Sequence, residues 1–433
     1  MPSAGMQPPA TPSPAPIPTA RCGDPHVTLD AAFLRNPYPT YRALREAGRV
    51  HWSEAFFGGA WLLTHHDDID RVLRDERFSA QRTGGWVLHD EAAQCDEAAR
   101  RELSRFQQVF SRALLFLDAP DHTRVRRVLE PGFKPAALRA LAPVIERCVT
   151  ELLDAIDTAQ PVDFIAAFAR PLPALVIAAS MGIDKAAEAD FITWSDDLAG
   201  FIGAPQPTPE LARRAQRSLL AMSAYFEGLL ARRRNAAPVD DWLGRLVQAE
   251  ADGQIRTETE LLAQCAMLLF AGHETTRHLL GNGLQALLTH PAQWERLGRE
   301  PELLPAAVRE LLRFESPVQY TGRRVTTDIP LHGQTLRRGD LVVALIGAAN
   351  RDPLRYTAPD TLDIARREGA ALSFGRGAHV CIGAALTQME AEIALRQITR
   401  RWPRLQLVDP VPDWNGNAVY RGVSTLRVQS SRR

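Results

Sequence analysis

One cysteine of the chain lies among glycines at fixed offsets. The segment 373–383 reads SFGRGAHVCIG and places Cys381 directly ahead of a predicted helix. Gly375 and Gly377 allow a tight turn beneath a flat ligand, and Gly383 lets the backbone approach that ligand closely. Because free N–H groups and the positive helix end stabilise a thiolate, we expect a lowered pKa for Cys381 and a role as an iron ligand. The alternative is a buried structural cysteine beside a glycine turn.

A second group of reactive side chains lies inside a long predicted helix, where residues 271–276 read AGHETT. Gly272 weakens a helix interior by about 0.5 to 1 kcal/mol relative to alanine, which favours a pocket at this point. The Thr275 hydroxyl can donate to the carbonyl of Ala271. Glu274 and Thr275 together provide a carboxylate and a hydroxyl that can pass protons to a bound group. The alternative is a surface glutamate beside a packed threonine.

The same stretch superficially resembles the zinc-protease motif H-E-x-x-H, with His273, Glu274 and His278. The two histidines are five residues apart, so they project roughly 140° apart around a helix. Two zinc ligands on one helix need the same face. The spacing therefore argues against a zinc hydrolase.

The pattern F-x-x-G-x-H-x-C-x-G, from Phe374 to Gly383, resembles the haem-binding loop of the cytochrome P450 family. The resemblance implies that Cys381 is the axial ligand of the iron in haem b, with Phe374 and Gly375 in contact with the cofactor. The family fold is mainly α with a smaller β-region, and a long central helix lies over the haem.

The same resemblance assigns roles to two pairs of residues on helices. Glu274 and Thr275 match the acid–alcohol pair that delivers protons and activates oxygen. Glu310 and Arg313 match the E-x-x-R helix, where the pair is a buried structural lock rather than a catalytic device. Without the resemblance, an i,i+3 pair would be interpreted as a solvated surface contact.

Haem carries two propionates, which need cationic or hydrogen-bonding partners when they are shielded from water. Three places resemble the family's partners: the H-x-x-x-R pattern of His122 and Arg126, Arg323 after the E-x-x-R helix, and His379 two residues before the cysteine. Because Arg324 is adjacent to Arg323, either arginine could take this position.

The elements that must position these residues are mostly helices. Apolar residues recur at helical spacing through 121–314, and a helix over 257–289 begins with a capping box and stops at a proline. Short strands are predicted at 61–64 and between 324 and 345, and a last helix spans about 383–402. We expect a disordered proline-rich leader at 1–20 and a single haem-thiolate monooxygenase domain at 21–433.

Composition narrows the class of partner and the cellular compartment. Lys and Arg number 51, as do Asp and Glu, so nothing indicates a nucleic-acid partner or an anionic membrane surface. The N-terminus from Met1 to Pro18 contains no apolar run, unlike a membrane anchor or a signal peptide. The five cysteines are scattered and odd in number, which fits a reducing cytoplasm.

The implied reaction is the insertion of one oxygen atom from dioxygen into a mainly apolar small organic molecule, in secondary metabolism or catabolism. No dinucleotide fingerprint follows a strand, so electrons from NAD(P)H should arrive through a separate ferredoxin and ferredoxin reductase. A haem-thiolate peroxygenase and a non-catalytic haem sensor are the alternatives; the intact Glu274–Thr275 pair argues against the first. Segments expected to line the substrate pocket are 86–88, 114–117, 201–202, 267–275, 318–321 and 418–420.

Overall fold

The computed structural model describes residues 27–81, 105–184, 187–204 and 208–430. The predicted leader at 1–20 and the predicted pocket segment at 86–88 lie outside these ranges. Within the described ranges, no helix is both long enough and apolar enough to cross a membrane.

Helices form most of the described chain, and the longest of them runs through its centre. This helix, Glu258–Leu288, has 31 residues and begins after Thr257, whose side chain accepts a hydrogen bond from the Glu260 N–H. The helix predicted over 257–289 is therefore confirmed, with a length of about 46 Å at about 1.5 Å per residue. Most of its side chains are buried on every face, as expected of a helix inside a large core.

The described helices, in chain order, are α1 (Ala31–Arg35), α2 (Tyr38–Ala47), α3 (His66–Arg74), α4 (Asp121–Leu129), α5 (Pro135–Asp154), α6 (Pro171–Met181), α7 (Glu188–Gly203), α8 (Pro209–Arg234), α9 (Trp242–Ala251), α10 (Glu258–Leu288), α11 (Pro291–Arg299), α12 (Leu304–Phe314), α13 (Ile346–Ala349) and α14 (Ala384–Arg401). Short 3₁₀ turns include Leu114–Phe116 and Gly377–His379. The last helix agrees with its prediction to within one residue at each end.

The described strands are β1 (Val50–Ser53), β2 (Ala60–Leu63), β3 (Phe78–Ser79), β4 (Val162–Asp163), β5 (Thr321–Val325), β6 (Ile329–Leu331), β7 (Gln334–Leu336), β8 (Leu341–Ala344), β9 (Leu405–Leu407), β10 (Asp413–Trp414), β11 (Val423–Thr425) and β12 (Arg427–Ser430). The largest sheet has the order β1-β2-β8-β5-β3, and its neighbours are antiparallel except for β2 and β8. The prediction of a mainly helical fold with a smaller β-region is confirmed.

Two contiguous apolar cores hold these elements together. The larger core extends from Val27 to Val428 and surrounds α10, and a smaller core lies in the five-stranded sheet. The helix α10 packs against α6, α7 and α8, and it also contacts α12 and α14. The middle of α10 is thereby fixed opposite the segment that precedes α14, which carries Cys381.

Candidate active site

A mainly apolar cavity lies between the middle of α10 and the cysteine segment. Most of the predicted site residues line it: His122, Arg126, Thr275, Arg323, Phe374, Gly375, His379 and Cys381. They come from α4, α10, β5 and the loop before α14, which are far apart in sequence. Glu274 is the one predicted site residue that does not line the cavity.

Several predicted pocket segments also contribute to the lining. Their cavity-lining members are Leu114, Leu115, Ile202, Met267, Phe270, Ala271, Val318, Tyr320, Thr321, Val419 and Tyr420. Phe57, in the turn between β1 and β2, lines the cavity as well and was missed by the sequence analysis. The only sequence signal near it is the Gly58–Gly59 turn.

The loop around the cysteine has the glycine-dependent shape that the sequence predicts. The Cys381 N–H donates to the carbonyl of Phe374 at 2.8 Å, which closes the loop. Gly375 and Gly377 have φ angles of +70° and +68°, a region that other residues rarely adopt. A Cβ on Gly377 would lie 2.6 Å from the carbonyl oxygen of Leu73, so this turn also packs against α3 too closely for a side chain.

The pKa of Cys381 differs from the expectation. Desolvation raises the pKa of the thiol, and this outweighs the lowering by the N–H groups of Gly383 and Ala384 and by the Arg126 charge. The predicted lowering is therefore wrong for the protein alone. A bound metal ion would reverse the balance, because coordination deprotonates a thiol outright.

Arg126 stabilises the same loop by donating hydrogen bonds to its backbone. Its Nη1 donates to the carbonyls of Ala378 at 3.1 Å and Val380 at 2.8 Å. The side chain that was expected to face a propionate thus also fixes the backbone on both sides of His379.

The buried His122 ring has a nitrogen atom that makes no hydrogen bond to the described residues. Its Nε2 has no hydrogen-bond partner among the described residues, and its ring centroid lies 4.0 Å from that of His379. Desolvation and the neighbouring charge of Arg126 lower the pKa of His122. A neutral His122 is therefore free to donate from one ring nitrogen to an acceptor in the cavity.

The two adjacent arginines on β5 differ in their surroundings. Arg323 is buried and lines the cavity, where its Nη1 donates to the carbonyl of Gly322 at 2.7 Å. Arg324 donates to the carbonyl of Gly339 at 2.6 Å and does not line the cavity. Because successive side chains of a strand point to opposite faces, only one of them can reach the site, and it is Arg323.

On α10, Thr275 occupies the expected position. Its Oγ1 donates to the carbonyl of Ala271 at 3.1 Å, and both residues line the cavity. Gly272 also lies close to α6. A Cβ there would lie 2.4 Å from Cδ1 of Ile177, so a larger residue would have to displace the end of that side chain.

Glu274 lies in a buried ionic network beside the cavity. Its Oε1 contacts Nε2 of His278 at 2.8 Å and accepts a hydrogen bond from Arg277 at 3.0 Å. Its Oε2 has no hydrogen-bond partner among the described residues and lies 4.0 Å from Nδ1 of His273. Desolvation raises the pKa of this carboxyl, but His278 and Arg277 hold it below its usual range. Arg277 also binds Asp196 at 2.6 Å, which connects the network to a half-buried carboxylate.

The two histidines of the rejected zinc motif have different hydrogen-bond partners. His273 contacts the Ser195 hydroxyl with Nδ1 at 3.1 Å and the carbonyl of Arg170 with Nε2 at 3.0 Å. His278 contacts Oε1 of Glu274 at 2.8 Å, whereas Nδ1 of His273 lies 4.0 Å from Oε2 of the same carboxylate. Both histidines thus lie beside Glu274, and both nitrogens of His273 are engaged in hydrogen bonds to other groups.

Glu310 and Arg313 form the buried pair that the family resemblance implies. The guanidinium binds both carboxylate oxygens, at 2.7 and 2.8 Å, and it donates to the carbonyl of Asn350 at 2.8 Å. Arg366 contacts the same carboxylate at 3.1 Å. Neither member of the pair lines the cavity, which agrees with a structural role.

Sequence reasoning also missed Gln264, a completely buried residue of α10. Its Oε1 accepts from the Leu114 N–H at 3.0 Å, and its Nε2 donates to the carbonyl of Arg112 at 2.7 Å. It therefore anchors the 3₁₀ turn that carries Leu114 and Leu115 to the cavity. A lone amide in an otherwise apolar stretch of helix was the available signal.

A thiol in a glycine-bounded loop, facing a long central helix across an apolar cavity, defines the class of haem-thiolate proteins. A family model described as Cytochrome P450 matches residues 86–415. Cytochrome P450 CYP107DY1 of Priestia megaterium is 37% identical over 372 residues, covering 86% of this chain and 90% of that protein. The polyketide biosynthesis cytochrome P450 PksS of Bacillus subtilis is 34% identical over 407 residues, covering 92% and 97% respectively.

The fold is similar to solved structures of the same kind. The structure of P450BioI in complex with an acyl carrier protein ligated with hexadec-9Z-enoic acid has a TM-score of 0.84 and 32% identity. The match covers 93% of this chain and 99% of that one. The chain therefore belongs to the cytochrome P450 family, and it is a haem-dependent monooxygenase that uses electrons from NAD(P)H delivered by redox partners.

The residues of the cavity fit this cofactor. A haem needs one axial ligand, a flat apolar slot and partners for two carboxylates. Cys381 provides a thiol at the cavity wall, and the unpartnered Nε2 of His122 lies close to His379 and to the arginine charges. The orphaned donor and the cationic groups are the counterparts that buried propionates require.

Proposed function

We propose that Cys381 is the thiolate ligand of the haem iron in this monooxygenase. The observation that carries the proposal is the convergence of eight predicted residues, from four separate parts of the chain, on one cavity. His122, Arg126, Arg323 and His379 would bind the propionates, and Phe374 and Gly375 would lie against the haem face. Bound haem supplies the activation of dioxygen and the oxidation itself.

The chain's own contribution on the opposite wall is a hydroxyl placed among apolar side chains. We propose that Thr275 holds a transferable proton in the cavity, and that Glu274 supplies this proton from the buried network behind it. Since Arg277 and His278 hold Glu274 in its ionised form, the carboxylate has to separate from at least one of them before it can carry a proton. The apolar lining excludes bulk water from the same space.

We propose that the substrate is a small, mainly apolar molecule of secondary metabolism and that a ferredoxin with its reductase delivers the electrons. The lining supports the first part, because Met267, Phe270, Val318 and Val419 are apolar. The names of two similar proteins, which refer to polyketide biosynthesis and to an acyl carrier protein bearing a fatty acyl group, support the metabolic setting.

We further propose that residues 21–433 form one domain and that the protein works in the cytoplasm. The apolar core that extends from Val27 to Val428 supports the single domain. The unpaired state of Cys148, Cys265 and Cys381 is compatible with a reducing compartment.

The ligand assignment is tested with Cys381→Ser. We expect this variant to lose the red-shifted Soret band of the reduced carbon monoxide complex, because a serine oxygen does not supply the thiolate's electron donation. Cys148→Ser, which changes a half-buried cysteine of α5, is the matched control and should keep the band. An unchanged band in Cys381→Ser would contradict the assignment.

A further inference from the structure

Tyr320 is a cavity residue whose hydroxyl has no assigned partner. Its side chain is 3% exposed, and its Oη is buried without a hydrogen-bond partner among the described residues. Two phenylalanines contact the ring edge-on, Phe56 at 5.2 Å and Phe57 at 6.4 Å between centroids. The two phenylalanines therefore restrict the position of the Tyr320 ring.

An unsatisfied hydroxyl is unusual for a buried tyrosine, because the phenol normally finds a partner when it leaves water. The two nearby tyrosines follow the rule, since Tyr38 donates to Glu315 at 2.7 Å and Tyr41 donates to Gln319 at 3.2 Å. Among the described residues, the hydroxyls of Tyr225 and Tyr356 also lack a partner, but neither residue lines the cavity. Burial raises the pKa of Tyr320, so its hydroxyl keeps its proton and remains a donor.

The turn that brings Phe57 to this tyrosine is conformationally demanding. Phe57 has a φ of +55°, a left-handed conformation that bulky residues rarely adopt, and it is followed by Gly58 and Gly59 at +75° and +149°. A Cβ on Gly59 would lie 2.6 Å from the Trp52 ring, so this position has no room for a side chain unless that ring moves. Strained backbone of this kind concentrates at ligand-binding positions.

We propose that Tyr320 determines substrate specificity by donating a hydrogen bond to an uncharged carbonyl or hydroxyl oxygen of the substrate. The neighbouring lining, including Phe57 and Val419, is apolar, so an ionised group placed there would lose its hydration without a counter-charge. The substrate class is then an apolar molecule with one such oxygen at a fixed distance from the oxidised carbon. The inference rests on the proposed function, because it takes the cavity to be the haem and substrate site.

The test uses ligands that are held in the cavity by the haem iron. The probes are derivatives of 1-phenylimidazole with an acetyl group or an ethyl group, each at the meta or the para position of the ring. Dissociation constants are measured by spectral titration of the haem-loaded wild type and of Tyr320→Phe. Tyr356→Phe is the matched control, since the Tyr356 hydroxyl is also buried without a partner among the described residues but does not line the cavity.

We expect the wild type to bind the acetyl compound about fivefold more tightly than the ethyl compound at one position at least, the size of one net hydrogen bond. Tyr320→Phe should bring this ratio close to one and leave the affinity for the ethyl compound unchanged, whereas Tyr356→Phe should keep the preference. Equal binding of both compounds by the wild type, or the same loss in both variants, would overturn the inference. Failure of the wild type to bind haem through a thiolate would instead refute the site assignment, and the inference would fall with it.

Discussion

At the scale of single residues, two neighbours in sequence have quite different surroundings. Thr275 lines the cavity, whereas the adjacent Glu274 is buried in contact with Arg277 and His278. A helix turns by about 100° per residue, so adjacent side chains cannot share a face. The hydroxyl is therefore the only member of the pair that can act on the contents of the cavity directly.

Thr275→Ala should lower the product formed per NADPH consumed, on the order of tenfold, because the methyl group has no proton to hold or transfer. The measurement is made with a surrogate ferredoxin, its reductase and NADPH, on any compound that the wild type converts. Product, NADPH and hydrogen peroxide are quantified together. Thr275→Ser keeps the hydroxyl and should remain close to wild type.

Tight coupling of electron use to product in Thr275→Ala would count against the proposed role of the hydroxyl. The same assay separates the alternative functions. Product from hydrogen peroxide alone, at the rate of the complete system, would favour a peroxygenase. No product under either condition would favour a haem sensor.

At the scale of elements, α10 also positions cavity-lining residues that belong to other elements. Gln264 binds the backbone of Arg112 and Leu114, so one buried amide on the helix fixes the turn that carries Leu115. Substitution of Gln264 by an apolar residue of similar size would leave the Leu114 N–H and the Arg112 carbonyl unpaired. Each unpaired group would lower the free energy of unfolding by about 1 to 3 kcal/mol.

Gln264→Leu should accelerate amide hydrogen exchange in residues 112–116 by at least about tenfold, because the turn would open without unfolding the rest of the chain. Exchange measured by mass spectrometry on the haem-loaded protein would show the change as local to this segment. The control Gln248→Leu, at an exposed position of α9, should leave exchange unchanged. Unaltered protection of 112–116 in Gln264→Leu would show that the amide does not anchor the turn.

The elements that local sequence determines were predictable. Thr257 caps α10 and Pro291 prevents its continuation, so both ends of that helix were correct to within one residue. Non-local relations were not predictable: β2 pairs in parallel with β8, whose partner residues such as Trp61 and Val342 are 281 positions apart, and no local pattern identifies that partner. Whether Arg323 or Arg324 reaches the cavity depends on which face of β5 is turned towards the cavity. Because the two residues are identical, their sequence does not distinguish the two faces.

At the scale of the whole molecule, one polar network connects the helical body to the cysteine loop. Arg313 on α12 binds Glu310 and the carbonyl of Asn350. The Asn350 side chain then accepts from the Leu372 N–H at 2.7 Å and donates to Ser373 at 2.9 Å, directly before the loop. The buried ion pair therefore orients the segment that presents Cys381, although it lies outside the cavity.

Loss of one charge from this network should affect stability and haem retention together. In Arg313→Met, Glu310 keeps a partner in Arg366 but loses its bidentate contact, and the carbonyl of Asn350 loses a donor. Breaking a buried pair costs about 3 to 5 kcal/mol, so we expect a markedly lower melting temperature and a reduced ratio of haem to protein after purification. Arg296→Met is the matched control, because its partner Glu300 and the arginine itself are more than one-third exposed, and such pairs contribute about 0 to 1 kcal/mol. If Arg313→Met has the same melting temperature as its control and retains haem equally well, the network does not hold the cysteine loop in place.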